Sequence, residues 1–456
     1  MPVVLNVSQK TGLPVYRPGI SKEIAEVDDA NLEKLARGNQ TINAFLKLAT
    51  VTSPSIVPGH PMQIEMERAL DEVRNLYANM FIDIGVPTEN VEVDKAGSLI
   101  MRVPGTQGYE NKQPIMFMGH VDVVPADKKE PMRPVRPTLI KYDTGKGKGP
   151  EDFIASDGTT TLGADDKSSL AIIWNTVRRL YEENIPHVPI EIVISPDEES
   201  TCASVDMLDR SKLQSKYIII VDHEEEFNIT TGTGGFVDLK INASGLQGGH
   251  SAVDTHNKNI VSAADVLLEI LQVLGNRVIK FNPKFPKQPL ISKNISGCGL
   301  GDVTTTTIPN SAWVVLSLRS LSKEEETAEL ERIRIELKRI EEKYKPTEPN
   351  FKINMEKETW PIYEGNNDSP IALAAEKAGH TIGHPETYRE QRHWYAQSSQ
   401  LGNMQNARGE YFEPIIIGPA VLNEHSSNEK QPIHSMLEVD KWLFQIVKDY
   451  TESVSV

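Results

Sequence analysis

Several acidic and histidine side chains stand at the ends of apolar runs or at the start of a helix-like segment. They are His120 with Asp122, Asp165 with Asp166, Glu198 with Glu199, and Asp222. Ligands of an open α/β sheet bind outside the carboxyl ends of its strands, so we expect these groups to meet at one sheet edge. Crowded carboxylates repel one another unless a cation intervenes, and oxygen with imidazole ligands suits Zn²⁺, Mn²⁺ or Co²⁺. The pattern therefore predicts a metal site.

The spacing within two of these pairs indicates what each partner does. Residues two apart on an extended chain point the same way, so Asp122 is expected to accept the second ring N–H of His120 and fix its tautomer. Adjacent Glu198 and Glu199 are expected to divide two tasks, one binding metal and the other taking a proton from bound water. Any one of these acids alone would be interpreted as a solvent-facing cap or turn, and only their combination favours metal.

The elements that position these residues alternate between short apolar strands and helices. Strand-like runs lie at 91–103, 114–119, 189–195 and 217–222, and helix-like runs at 42–48, 62–81 and 166–183. The alternation predicts an α/β fold with a mixed, mostly parallel sheet flanked by helices. Residues 125–149 are expected to form an irregular excursion, and the glycine-rich run 297–301 a flexible loop.

The pattern changes after residue 233. A strand, a helix, a second strand, a long charged helix over 323–345 and a third strand predict a separate βαβ-type α+β unit. A helix at 371–379, a strand at 413–417 and a helix at 437–450 would then complete the first domain. We therefore expect an inserted domain at 234–358, between two parts of one domain at 1–233 and 359–456.

Composition excludes several function classes. The 456 residues carry 48 Lys and Arg against 64 Asp and Glu, and the resulting net charge of −16 disfavours a nucleic-acid partner. The apolar runs are far shorter than the roughly 18 to 20 residues that span a bilayer, and the N terminus lacks a signal-peptide pattern. With only Cys202 and Cys298 there is no disulfide framework. These features predict a soluble cytoplasmic protein without a membrane partner.

Six motifs follow one another along the chain. They are GHVD, DGTTTLGADDK, SPDEES, the strand end at Asp222, GGHS around His250, and HSSNEK near the C terminus. In this order they resemble the M20 family of co-catalytic zinc metallopeptidases, particularly its peptidase T and aminoacyl-histidine dipeptidase branches. The likeness runs from about residue 41 to 450 and implies a zinc-exopeptidase-like catalytic domain with the insertion acting as a lid and dimerisation domain.

The resemblance also implies a ligand set for two divalent ions, most simply Zn²⁺, with Mn²⁺ or Co²⁺ as alternatives. One ion would take His120 and Asp222, the other Glu199 and His425, and Asp165 would bridge both. Asp165 is preferred to its neighbour because the bridging carboxylate in the family stands two places before the Lys. His434 competes with His425, but HSSNEK fits the family pattern better.

Four further roles are implied in the same way. Glu198 would be the general base, Asp122 the partner of His120, and His250 on the lid the oxyanion stabiliser, in some relatives acting across a dimer. Arg319 would hold a substrate carboxylate, for which a planar guanidinium is suited. For His250 the alternative is an ordinary surface turn, and for Arg319 a salt bridge within the lid.

Two segments depart from the family pattern and leave substrate preference open. Residues 389–397 replace a GGTD-like loop, and after Asp222 the usual Gly is replaced by His223, which the acidic cluster 224–226 follows. The predicted function is hydrolysis of di- or tripeptides by an aminopeptidase-like metallopeptidase using water activated by two metals, in a homodimer formed through the lid. The alternatives are an N-acyl amino acid amidohydrolase with the same site and an inactive metal-binding homologue.

Overall fold

The computed structural model describes residues 6–7, 14–15, 29–145, 147, 149–275, 277–301 and 304–454. Its strands, in chain order, are β1 (Asn6–Val7), β2 (Pro14–Val15), β3 (Val91–Val93), β4 (Leu99–Val103), β5 (Ile115–His120), β6 (Thr138–Tyr142), β7 (Glu151–Ala155), β8 (Ile190–Ser195), β9 (Tyr217–Val221), β10 (Asn228–Thr233), β11 (Gly235–Ser244), β12 (Gly249–His250), β13 (Val278–Phe281), β14 (Pro289–Leu300), β15 (Thr307–Ile308), β16 (Ala312–Ser320), β17 (Lys352–Trp360), β18 (Tyr388–Arg392), β19 (Glu413–Ile417) and β20 (Lys430–Pro432).

The helices alternate with these strands through much of the chain. In chain order they are α1 (Asp29–Gly38), α2 (Gln40–Ala49), α3 (Gln63–Asp83), α4 (Ala164–Glu182), α5 (Ala203–Asp206), α6 (Ala263–Leu274), α7 (Lys323–Tyr344), α8 (Pro370–Thr381), α9 (Gln397–Leu401) and α10 (Ile433–Ser453). Short 3₁₀ turns lie at Thr88–Asn90 and Arg210–Lys212. None of the helices in the described part of the chain is long and apolar enough to cross a membrane.

The chain divides into two compact units. Unit 1 contains residues 1–231, 366–390 and 404–456, and unit 2 contains residues 232–365 and 391–403. The sequence placed the boundaries after residues 233 and 358, so the observed insertion is longer at both ends. Residues 391–403, which the sequence assigned to the first domain, return to unit 2.

The main sheet of unit 1 has the order β18-β10-β19-β9-β5-β8-β4-β3. Its four central strands, β19, β9, β5 and β8, are parallel, whereas β10, β4 and β3 join antiparallel. Every residue of β5 and β8 is buried, which explains why these strands are mostly apolar, with Glu191 the charged residue within β8. The predicted α/β class with a mixed, mostly parallel sheet is confirmed.

Capping residues start several of the helices. Asn39 accepts the Ile42 N–H at 3.1 Å before α2, and Ser369 precedes Pro370 at the start of α8. α4 begins after Gly163, whose φ of 75° lies in the left-handed region. A buried aromatic side chain joins two helices, since the Tyr77 hydroxyl on α3 donates to the Leu170 carbonyl on α4 at 2.8 Å. This contact holds α4 on the core beside the sheet.

Two parts of unit 1 differ from the prediction. The single strand expected over 91–103 is a hairpin, because Asp94 accepts the Ala96 and Ser98 N–H groups and turns the chain between β3 and β4. The segment expected to be an irregular excursion contains β6, which pairs with β7, and β7 pairs in turn with β20. This small sheet was missed because its turn-forming residues obscured the short strands.

Unit 2 is an antiparallel sheet of order β13-β14-β16-β11-β17 with α6 and α7 packed against it. Two strands that are connected through a helix do not pair with each other, because another strand lies between them in the sheet. The predicted βαβ-type connection is therefore the split form found in ferredoxin-like folds. The prediction of a flexible loop at 297–301 is wrong up to Leu300, because these residues belong to β14. Gly297 and Gly299 lie against the indole of Trp313, where a Cβ would approach the ring to 3.1 and 3.0 Å.

Candidate metal centre

Three neighbouring parallel strands bring most of the predicted site residues to one sheet edge. β5 ends at His120, β8 is followed by Glu198 and Glu199, and β9 is followed by Asp222. The register aligns His120 with Ser195 across β5 and β8, so the loops after both strands leave at the same level. The Asp222 N–H donates to the Ile417 carbonyl at 2.8 Å, which holds this residue at the end of the parallel ladder.

Three overlapping groups of side chains place their ligand atoms within 4.8 Å of one another. They are His120 with Asp165 and Asp222, His120 with Glu198 and Glu199, and Asp165 with Glu199 and His425. The two oxygens of Asp165 face different histidines, since Oδ1 lies 3.1 Å from His120 Nε2 and Oδ2 lies 3.1 Å from His425 Nε2. Asp165 therefore stands between the other ligand groups.

The spacing of these atoms fits divalent ions. Metal–ligand bonds of about 2.0 to 2.2 Å in tetrahedral geometry separate ligand atoms by about 3.4 Å. His120 Nε2 lies 3.9 Å from Asp222 Oδ2, and His425 Nε2 lies 2.8 Å from Glu199 Oε1. Glu199 Oε1 is buried, and the His425 imidazole is its near polar neighbour. Such converging acceptors are what a bound cation satisfies.

The pKa values of the carboxyl and imidazole groups in this cluster are shifted because the groups are buried close together. Burial, followed by the charge of Asp165, raises the pKa of Asp222 to about 6, and burial raises that of Glu199 to about 8. Hydrogen bonds to Asp165 and Glu199 raise the pKa of His425 to about 11. Burial opposes charge on His120, but hydrogen bonds to Asp122 and Asp165 outweigh it and raise its pKa. These shifts favour protonated forms of the imidazoles and carboxyls, and a divalent cation bound among them would displace those protons.

Asp122 has a different main partner from the one expected. His120 Nδ1 lies 2.9 Å from the backbone oxygen of Asp122, whereas the carboxylate Oδ1 is 3.4 Å away. The carboxylate instead accepts the backbone N–H groups of Glu198 at 2.9 Å and Glu199 at 3.2 Å. Because Asp122 is fully buried, its charge is held on the loop that presents both glutamates.

A second acid supports the same loop from within. Asp197 accepts hydrogen bonds from the Ser204 N–H at 3.2 Å and the Thr201 hydroxyl at 2.9 Å. The Cys202 thiol donates to the Glu198 carbonyl at 3.0 Å. Burial, followed by the charge of Asp222, raises the pKa of Glu198 well above its usual range, which makes its carboxylate a stronger proton acceptor.

Sequence reasoning missed the contacts of three buried polar residues around the site. Asp166 accepts the His120 N–H at 3.1 Å, Lys167 donates through Nζ to the Val51 carbonyl at 2.6 Å, and Glu429 accepts the Gly163 and Asp165 N–H groups. All three stand inside motifs noted above. Their burial depends on how distant segments pack, and no periodicity in the sequence reports that.

His250 and Arg319 lie in unit 2. His250 is exposed at the end of β12, and its Nδ1 accepts the Ala252 N–H at 3.2 Å, which leaves Nε2 to carry the ring proton. Arg319 is exposed on β16 with its guanidinium 5.0 Å from the ring centre of Phe236. No ion pair of Arg319 occurs within the part of the chain that the structure describes.

The two segments that depart from the family pattern make structural contacts. Within unit 1, Arg389 pairs with Glu376 and Asp368, both at 3.1 Å. Within unit 2, His393 Nε2 donates to the Arg319 carbonyl at 3.2 Å. In the acidic cluster, the Glu225 N–H donates to His223 Nδ1 at 2.9 Å, which ties this turn to a buried histidine.

Comparison with known proteins identifies the class. Residues 116–449 match the family described as Peptidase family M20/M25/M40. The cytosol non-specific dipeptidase of Escherichia coli is 29% identical over 220 residues, covering 42% of each chain. Peptidase T of Aliivibrio salmonicida is 28% identical over 218 residues, covering 42% of this chain and 52% of that protein. The chain thus spans about half the length of these curated relatives.

A solved structure extends the likeness over nearly the whole fold. Aminopeptidase PepT of Bacillus cereus superposes with a TM-score of 0.71 at 21% identity, covering 90% of this chain and 98% of that one. The superposition shows a shared fold, and the cluster of His, Asp and Glu side chains at the sheet edge lies within the residues that match the family. The chain belongs to Peptidase family M20/M25/M40, which confirms the resemblance of its six motifs.

Proposed function

We propose that this protein hydrolyses short peptides, removing the N-terminal residue of a di- or tripeptide, with two divalent metal ions and Glu198 as general base. The observation that carries the proposal is the position of Asp165, whose two carboxylate oxygens each face a different histidine. A carboxylate whose two oxygens face different imidazoles could bridge two divalent ions, and a pair of ions can serve a hydrolytic reaction.

The residues divide into two ligand sets that share Asp165. His120 and Asp222 would hold one ion, and Glu199 and His425 the other. Ions bound there would polarise the scissile carbonyl and lower the pKa of a water molecule. Zn²⁺ is the proposed metal because imidazole and carboxylate ligands suit it, with Mn²⁺ or Co²⁺ as alternatives.

Glu198 is proposed to transfer the proton, and Asp122 is proposed to hold the loop that carries Glu198 and Glu199. Glu198 takes a proton from water and passes it to the leaving amine, which a carboxylate of raised pKa performs well near neutral pH. Asp122 holds the loop through the Glu198 and Glu199 N–H groups. The two glutamates therefore keep separate positions although they are adjacent in sequence.

Unit 2 is proposed to act as the lid. His250 would donate its Nε2–H to the developing oxyanion, and Arg319 would bind the substrate carboxylate through its planar guanidinium. We also propose that the protein is a homodimer formed through this unit. A cytoplasmic location is proposed because Cys202 and Cys298 are both free thiols.

A substrate panel tests the reaction. The zinc-loaded protein is assayed with dipeptides, tripeptides, peptides blocked at the N terminus and N-acetyl amino acids. We expect release of the N-terminal residue from unblocked short peptides. Turnover of N-acetyl amino acids alone would establish an amidohydrolase with the same ligands, and no turnover of any substrate by the metal-loaded protein would refute the proposed function.

A pair of adjacent variants tests the roles of the two glutamates. Glu198→Ala should keep both metals while kcat falls by roughly 10² to 10⁴-fold. Glu199→Ala should lose metal, because it removes a ligand. Metal content is measured by elemental analysis beside kcat, and loss of metal from Glu198→Ala would contradict this division of roles.

A further inference from the structure

Glu429 is a buried carboxylate whose hydrogen bonds are made to the backbone. Its side chain is fully buried, and its Oε2 and Oε1 accept the Gly163 N–H at 2.8 Å and the Asp165 N–H at 3.0 Å. These N–H groups lie in the segment that leads into α4, where the backbone angles of Asp165 and Asp166 are not helical. A carboxylate suits this position because each of its oxygens accepts one of the two N–H groups.

The position of Glu429 along the chain links two distant segments. It stands four residues after His425 and immediately before β20, which pairs with β7. The strand fixes the backbone of Glu429, whereas His425 lies in a loop with a φ of 60° and an exposed side chain. Through the two backbone hydrogen bonds, Glu429 joins this loop to the segment that carries Asp165.

The connection matters because Asp165 and His425 act on a shared centre. Asp165 Oδ2 lies 3.1 Å from His425 Nε2, while Asp165 Oδ1 faces His120 at the same distance. A shift of the Asp165 backbone relative to the loop would change both separations at once. Glu429 hydrogen-bonds to neither histidine, so it positions the ligands through the backbone that it holds, beside the repulsion between its charge and that of Asp165.

We infer that Glu429 is a positioning residue that sets the bridging carboxylate Asp165 against His425 and thereby couples the two metal positions. The inference rests on the proposed two-metal function. A carboxylate is required at residue 429 because its two oxygens meet two N–H donors. A glutamine there would turn an NH₂ group toward one of those donors and lose that hydrogen bond.

The test is metal binding by Glu429→Gln in the full chain. The protein is freed of metal by a chelator and titrated with Zn²⁺ against a chromophoric competitor, and bound metal is counted by elemental analysis. We expect two Zn²⁺ in the wild type and a roughly 10- to 100-fold weaker affinity for at least one of them in the variant, the range typical of residues that support metal ligands. Added Zn²⁺ should recover part of kcat.

Glu191→Gln is the matched control. Glu191 is also buried and accepts backbone N–H groups, from Gln214 at 2.9 Å and Ser215 at 2.9 Å, but its partners lie in another loop of unit 1. This variant should lower thermal stability without changing Zn²⁺ affinity. Comparing the two separates the loss of a buried backbone cap from the loss of ligand positioning.

The outcomes distinguish this inference from the proposed function. Wild-type protein that binds no Zn²⁺ would refute the proposed two-metal function. Wild-type protein that binds two Zn²⁺, with Glu429→Gln binding them equally tightly, would overturn the role of Glu429 alone. If Glu429→Gln does not fold, Glu429→Asp keeps the charge but is one methylene shorter, and unchanged affinity in that variant would overturn the role equally.

Discussion

Replacing Asp122 by asparagine tests what this carboxylate does. In the wild type its oxygens accept the Glu198 N–H at 2.9 Å and the Glu199 N–H at 3.2 Å. The amide in the Asp122→Asn variant retains one acceptor and turns its NH₂ group toward the other donor. His120 keeps its contact, because Nδ1 meets the backbone oxygen of residue 122 at 2.9 Å. The substitution should therefore disturb the glutamate loop more than the histidine.

The magnitude follows from the hydrogen bond that is lost. A hydrogen bond to a charged group contributes about 1.5 to 3 kcal/mol. Because about 1.4 kcal/mol corresponds to a tenfold change in rate, the expected loss in kcat/KM is about 10- to 150-fold. Since the displaced group includes Glu198, which acts on a proton, most of the loss should remain in kcat at saturating Zn²⁺.

The assay is steady-state hydrolysis of the best peptide of the panel over a range of Zn²⁺ concentrations. Asp94→Asn is the control, since Asp94 Oδ1 accepts the Ala96 and Ser98 N–H groups, both at 2.9 Å, and its Oδ2 accepts the Asp209 N–H at 3.1 Å, the hydrogen bond that an amide would lose. It should lower stability and leave kcat unchanged. If excess Zn²⁺ restores the kcat of Asp122→Asn to the wild-type value, the reasoning is wrong, and Asp122 acts through metal affinity, by way of His120 or Glu199.

Two further predictions concern protons and packing. Because the pKa values of His120 and His425 are raised, the latter to about 11, both rings are protonated in metal-free protein at neutral pH and must release protons on binding. Zn²⁺ affinity should therefore increase as pH rises from about 6 to about 8, and calorimetry in buffers of different ionisation enthalpy should detect released protons; a pH-independent affinity would contradict this. Gly119→Ala should lower the free energy of unfolding by about 1 to 3 kcal/mol, because the added Cβ would lie 2.5 Å from Asp166 Oδ2 and 3.0 Å from Leu170 Cδ2. Denaturant unfolding measures this change, and a change below about 0.5 kcal/mol would show that α4 shifts freely.

Prediction from sequence was most successful where burial requires a run of apolar residues along the chain. The strands β5, β8 and β9 are mostly apolar, with Glu191 the charged residue inside β8, because a parallel strand in the middle of the sheet is covered on both faces. Their polar followers His120, Glu199 and Asp222 lie at one edge for the same topological reason. Prediction was wrong for the run 297–301, where glycines admit the Trp313 ring beside β14.

The sequence by itself determined the α/β class, the approximate extents of the central strands and the acidic and histidine groups at their ends, since these depend on residue type and local periodicity. Only the tertiary structure decided which atoms meet. It turned the Asp122 carboxylate to the Glu198 and Glu199 amides, buried Glu429 against the start of α4, and returned residues 391–403 to unit 2. These outcomes depend on contacts between segments distant in sequence, where burial requires each polar group to find a partner.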